Sequence, residues 1–268
     1  MISGKKISNL EREISRTSQI VALNRASIER PHSIEGDPEA QKRLVEGMQP
    51  THLLWPLIER TRFFDEQVQS AISSGLSQIV ICGAGYDDRA LRFRTKDIRF
   101  FELDHPITQT DKLRRLKFMN AGMEWLTLVP ADFLSDDVEA KLGSAGHDGD
   151  CPSLFVCEGL LAYLDQHVDC KLLAGLRSRA TVGSVLAASL AIHHAGVDSN
   201  TVAAAVNSRR RTGESEPWLT ILPIDSYLTI FRQTGWLVNC IIDSLKLDTR
   251  EIDVRMALIT AKPISGSK

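Results

Sequence analysis

Long hydrophobic runs are missing from this 268-residue chain: no stretch of about 18 apolar residues is free of charge, so no membrane-spanning helix is expected. Positive charge is not in excess either. The chain has 32 Lys and Arg against 34 Asp and Glu, a formal net charge of -2, which argues against a nucleic-acid footprint. Arg209-Arg210-Arg211 is the one dense basic run and reads as a solvated helix end. The five cysteines (82, 151, 157, 170 and 240) form no Cys-x-x-Cys pair. That argues against a disulfide framework or a zinc site and for reduced thiols, so no metal is expected. Repeats and low-complexity blocks are absent. The opening Met-Ile-Ser-Gly-Lys-Lys leads into charged sequence rather than an apolar leader, so the expected location is the cytoplasm.

What is present suits a large α/β domain, with 43% hydrophobic and 25% charged residues. Residues 1–75 read as an N-terminal helical extension punctuated by Pro31, Pro38, Pro50 and Pro56, with apolar faces at Ile20–Leu23 and Leu53–Ile58. From residue 76 to 268 strands and helices alternate. Strands are expected at 78–82, 98–103, 125–130, 153–158, 183–192, 236–243 and 254–262. Helices are expected at 87–93, 107–120, 134–142, 166–180 and 224–234. Alternation of this kind predicts a seven-stranded, mostly parallel, Rossmann-like sheet with helices on both faces. The polar segment 195–222 interrupts the pattern and reads as a lid insertion over the strand ends.

The most informative stretch runs from Gln78 to Arg89 and ends its apolar part in Gly83-Ala84-Gly85; Asp104 follows Gly83 by 21 residues, at the end of the next apolar run. Paired glycines let backbone approach a ligand closely. A carboxylate at the next strand tip can accept from both hydroxyls of a ribose. A glycine turn without a ligand is the plain alternative. The third glycine of Gly-x-Gly-x-x-Gly is lacking, since position 88 is Asp, which disfavours a pyrophosphate-bearing dinucleotide. Glu102 shares a strand with Asp104 and is the expected structural partner of an arginine.

Asp132-Phe133 follows the third strand and suits either adenine recognition or a helix cap. Glu158 sits in the apolar run Leu154–Leu164, where an unpartnered carboxylate is costly. Tyr163 either reaches a pocket or packs. His193-His194 closes the fifth strand and supplies a candidate base or a solvent-facing pair. Arg25 and Arg62 lie on N-terminal helices; either could fork a carboxylate.

Taken together, Arg60–Asp65, Val80–Ala90, Phe101–Pro106, Pro130–Asp132 and Glu158–Leu164 resemble the leucine carboxyl methyltransferase family, especially its bacterial small-molecule O-methyltransferase branch. The Gly235-Trp236 corner with two late strands looks like the closing hairpin of a class I methyltransferase. The resemblance implies S-adenosyl-L-methionine as cofactor. It implies Arg62 on the methionine carboxylate, Gly83 with Ala84 and Gly85 along the methionine and ribose, Asp104 on the ribose hydroxyls, Asp132 and Phe133 at the adenine, and Glu158 on the methionine amino group.

The expected reaction is O-methylation of a small-molecule carboxylate, with natural-product biosynthesis as one setting. A phenol or alcohol acceptor would need a base, for which His193, His194 and Tyr163 are the candidates. A protein C-terminal carboxylate, or a cofactor-binding scaffold without transfer, are the other readings. Neither a membrane nor nucleic acid is an expected partner; self-association stays open.

Overall fold

The computed structural model describes residues 15–49, 55–209, 216–246 and 254–265. Leu53 and Leu54 of the apolar face, Arg210 and Arg211 of the basic run, and positions 210–215 of the insertion lie outside them.

Seven strands form one sheet: β1 (Gln78–Cys82), β2 (Arg99–Asp104), β3 (Leu126–Pro130), β4 (Ser153–Cys157), β5 (Val185–His193), β6 (Trp236–Lys246) and β7 (Val254–Pro263). Their order is β3-β2-β1-β4-β5-β7-β6. The first five run parallel, and β7 enters antiparallel between β5 and β6. The expected sheet and its closing hairpin are therefore present. Gly235 (φ +85°) makes the corner, and Trp236 anchors it, fully buried, with its Nε1 donating to Leu173 O at 2.9 Å.

Helices cover both faces: α1 (Arg16–Ala26), α2 (Ala40–Leu44), α3 (Trp55–Ser73), α4 (Arg89–Arg92), α5 (Pro106–Phe118), α6 (Val138–Ser144), α7 (Gln166–Ser178), α8 (Ser199–Arg209) and α9 (Ile224–Gln233). Strand pleating divides the core. Val80 and Cys82 of β1 join the α6, α7 and α9 side, where Leu142, Leu172 and Phe231 pack. Ile79 and Ile81 join the α1, α2 and α3 side with Ala22, Leu44 and Phe64. All five residues of β1 and of β4 are buried, as befits central parallel strands. Among the described residues no helix is long and apolar enough to cross a membrane, and no cluster of His, Cys, Asp and Glu could hold a metal ion.

Segment 195–222 contributes α8 and an extended stretch that returns to β5, where Ile192 bridges Leu222. That stretch is pinned to a 3-10 turn at Leu161–Tyr163: Leu219 N and Thr220 N donate to Ala162 O at 2.7 and 3.2 Å, and Thr220 Oγ1 donates to Leu164 O at 2.7 Å.

Candidate functional site

The carboxyl ends of the strands open into one cavity of about 820 Å³. At the end of β1 the chain turns through Gly83 (φ +66°) and Gly85 (φ +49°), a region that side chains rarely adopt. A Cβ on Gly85 would lie 2.8 Å from Ser18 Cβ of α1, so the bare backbone also makes room for that helix. Both Gly83 N and Ala84 N donate to Leu103 O, tying the turn to β2. Asp104 then locks it: Oδ2 accepts from Gly85 N at 2.6 Å and Oδ1 from His105 N at 2.7 Å. Each oxygen keeps a lone pair for a ligand hydroxyl. Burial raises the Asp104 pKa against those two backbone donors.

Glu102 points elsewhere. It is buried against Lys112 of α5, and burial lifts its pKa to about 7 despite that ammonium. Its partner is thus a lysine of the following helix rather than an N-terminal arginine. Asp132 and Phe133 both line the cavity. Asp132 Oδ1 accepts from Leu134 N at 3.0 Å, organising a turn; the next helix starts only at Val138, capped by Asp137.

Glu158, at the tip of β4, is the centre of the site's charge. Its Oε2 meets Arg25 Nη2 and Arg89 Nη1, each at 2.7 Å, and its Oε1 meets Arg60 Nε at 3.1 Å. Burial alone would raise its pKa, but the Arg25, Arg89 and Arg60 guanidiniums overcome this and hold it well below the usual carboxylate range. The network spreads through Asp87 (Arg25, Arg89), Asp65 (Arg30, Arg89, Arg92) and Asp88 (Arg30, Arg92). Among the described residues five guanidiniums meet four carboxylates, which leaves one formal positive charge in excess beside the cavity. The Nε of Arg25 is buried and has no hydrogen-bond partner among the described residues.

Several expectations for side chains need correcting. Arg62 is not at the cavity: it is exposed and pairs with Glu59 at 2.8 Å. Residues two apart on a helix face opposite ways, and the inward face of α3 carries Arg60, Thr61, Phe64, Asp65 and Val68. Arg60 and Arg25 line the cavity instead. His193 and His194 are also outside the lining. His193 is buried, with Nδ1 2.7 Å from His194 O and Nε2 2.9 Å from Ser199 Oγ, while His194 is exposed. Tyr163 does line the cavity, edge-on to Trp218 at 6.4 Å between ring centroids. Sequence reasoning missed Arg60 as a lining residue and Gly159, whose φ is +64°. The signal for the first was its helical phase with Phe64.

The arrangement meets the needs of a nucleoside cofactor with an amino-acid tail: a glycine cradle, a carboxylate for a ribose, and a buried acid with a surplus of arginine for a zwitterion. The leucine carboxyl methyltransferase profile matches residues 17–177. A Streptomyces coelicolor protein, provisionally named as an S-adenosyl-L-methionine-dependent methyltransferase, is 30% identical over 185 residues, covering 69% of this chain and 63% of that relative. The chain thus spans less than two thirds of the length of such relatives. Among solved structures, a provisionally assigned methyltransferase from Thermobifida fusca superposes with a TM-score of 0.61 at 15% identity, covering 98% of this chain and 100% of that one. The magnesium protoporphyrin IX methyltransferase of Synechocystis, solved with bound S-adenosylhomocysteine, gives 0.52 at 12% identity, covering 84% and 93%. These likenesses establish the fold as that of class I methyltransferases.

Proposed function

The chain belongs to the leucine carboxyl methyltransferase family, and from that premise we propose that it is an S-adenosyl-L-methionine-dependent O-methyltransferase acting on a small-molecule carboxylate. The observation that carries the reading is the meeting, in one cavity, of Asp104 with the arginine-rich cluster around Glu158. The residues fit the cofactor. Asp104 receives ribose hydroxyls. The formal positive excess, with the unpartnered Arg25 Nε, suits a methionine carboxylate; Glu158 suits its ammonium. When bound, S-adenosylmethionine supplies a sulfonium methyl whose transfer to an acceptor oxygen leaves the electron pair of the broken C–S bond on sulfur.

The protein's own task is to hold an acceptor oxygen in line and keep water out, which is proximity and orientation. A carboxylate is ionised above about pH 4 and needs no base. A phenol or alcohol needs one; His193 is held by His194 O and Ser199 Oγ, His194 is exposed, and neither lines the cavity. His105 does line it, but its Nδ1 caps α5. Tyr163, the third candidate, does line the cavity, but with both strand-end histidines outside it the carboxylate is the better-supported acceptor. The test is methyl-labelled S-adenosylmethionine with a panel of acids and phenols. Label that alkali releases as methanol marks an ester; alkali-stable label in an aryl ether contradicts the carboxylate reading.

A further inference from the structure

The cavity extends past the cofactor residues. Its volume of about 820 Å³ lies near the top of the range of roughly 300–1,000 Å³ for small-molecule sites. Gly83, Asp104 and Asp132 follow β1, β2 and β3 and line one part of it, where Arg25 and Arg60 are tied to Glu158. Beyond β4 the lining is Tyr163, Leu164, Trp218 and Met256. Two of these are aromatic, and Trp218 is held in place through its backbone. Trp218 N donates to Asn207 Oδ1 at 2.9 Å, and Asn207 Nδ2 donates to Trp218 O at 2.8 Å. Its ring meets Tyr163 at 86°, so the two rings form a corner.

Glu216 belongs to the same wall. Alternate residues of an extended chain face one way, so Glu216 and Trp218 line the cavity together while Leu219 is turned to solvent. The Glu216 carboxylate is exposed and has no ion-pair partner among the described residues. Aromatic faces carry negative potential, and a carboxylate beside them adds a full negative charge. A cation is the ligand group that all three side chains attract. The cofactor end of the cavity has the opposite sign, through its surplus guanidinium and the sulfonium of a bound S-adenosylmethionine. An acceptor lying between the two ends is oriented by its own charges, with an anion toward the cofactor and a cation toward Glu216.

We propose, building on the carboxylate-methylation reading, that the acceptor is a zwitterionic amino acid whose ammonium is remote from its carboxylate: Glu216 pairs with the ammonium, and the Trp218 and Tyr163 rings flank it. Leu164 and Met256 take the carbon chain between the charges. A dicarboxylic acid is rejected, because its second carboxylate meets Glu216.

The test is isothermal titration of full-length protein saturated with sinefungin, which carries an amine where S-adenosylmethionine carries its sulfonium methyl, so the charge is kept and nothing is transferred. The probes are ω-aminobutyric, ω-aminohexanoic and ω-aminooctanoic acids, each beside the straight-chain monoacid and the diacid of equal length. At least one amino acid should bind at least about fivefold more tightly than its monoacid, with the diacid weakest. Glu216→Gln should bring amino acid and monoacid within about twofold of each other, and Trp218→Ala should weaken the amino acid at least about threefold. Both variants should keep wild-type affinity for sinefungin. A monoacid that binds as tightly as its amino acid, a preference that survives Glu216→Gln, an amino acid that binds Trp218→Ala unchanged, or no amino acid binding to the loaded protein overturns this acceptor assignment and leaves the cofactor reading standing. Loss of sinefungin from Glu216→Gln would put that carboxylate in the cofactor part and overturn the assignment as well. Silence from sinefungin on wild type overturns both readings, whereas the carboxylate reading fails separately, by alkali-stable label.

Discussion

Gly159 and Arg60 are fitted to one another: any Cβ at position 159 would sit 2.7 Å from Arg60 Nη1, and the φ of +64° there already favours glycine. The fit joins the tip of β4 to the inner face of α3, beside the cavity that both residues line. Gly159→Ala should cost about 1–3 kcal/mol from the backbone conformation, plus displacement of Arg60. Urea unfolding measures the stability, and titration of S-adenosylhomocysteine measures the displaced arginine. Unchanged stability and unchanged S-adenosylhomocysteine binding would show the contact to be incidental.

Arg25 and Arg62 should behave oppositely. Arg62→Ala removes an exposed pair with Glu59, so stability should stay within about 0.5 kcal/mol and S-adenosylhomocysteine affinity should hold. Arg25→Ala takes a guanidinium from buried Glu158 and Asp87, which should cost about 3–5 kcal/mol and weaken the cofactor strongly. Paired titrations and unfolding curves on the two variants check the contrast.

Asp169 makes stability depend on pH. Its carboxyl is buried in α7 with neither oxygen hydrogen-bonded among the described residues, and burial, helped by Asp165, raises its pKa to about 9. In the unfolded chain the group ionises near ~3.9. The folded state therefore binds the proton more tightly. Its contribution is complete below about pH 4 and is lost progressively up to about pH 9, at up to about 1.4 kcal/mol per pH unit. Asp169→Asn removes the titration, so the Tm of the variant relative to wild type should rise between about pH 5 and about pH 8. A difference that stays flat with pH would place the group's pKa elsewhere.

His193 should be dispensable for chemistry. A general base contributes about 10²–10⁴ in rate, whereas His193→Gln should change kcat on a carboxylic acid only a few-fold, through packing against Ser199. A loss of two orders of magnitude, rescued at higher pH, would make it a base after all.

Much of the fold was legible because strand pleating and helix periodicity are local. β1 and β4 are short apolar runs, and Gly235-Trp236 announces the final hairpin. Asp104 was legible for the same reason, as a carboxylate at a strand tip after a glycine turn. The arginines were not. Arg60 and Arg62 both occupy one helix, and which faces inward depends on Glu158, 98 residues beyond Arg60. His193 read as a candidate base or half of a solvent-facing pair at the close of the fifth strand, but α8 from the insertion folds back and buries it against Ser199. Asp169 sits in an amphipathic helix as an ordinary polar residue would, and only packing against the core leaves it without a partner.

The most direct measurement is isothermal titration of S-adenosylmethionine and S-adenosylhomocysteine into wild type and Asp104→Ala, with thermal unfolding of both proteins recorded alongside. Micromolar binding by wild type, lost or weakened at least about tenfold in a folded Asp104→Ala protein, is the expected result. Absence of binding by wild type, or equal binding by the folded variant, would contradict the cofactor assignment at Asp104 on which the account rests.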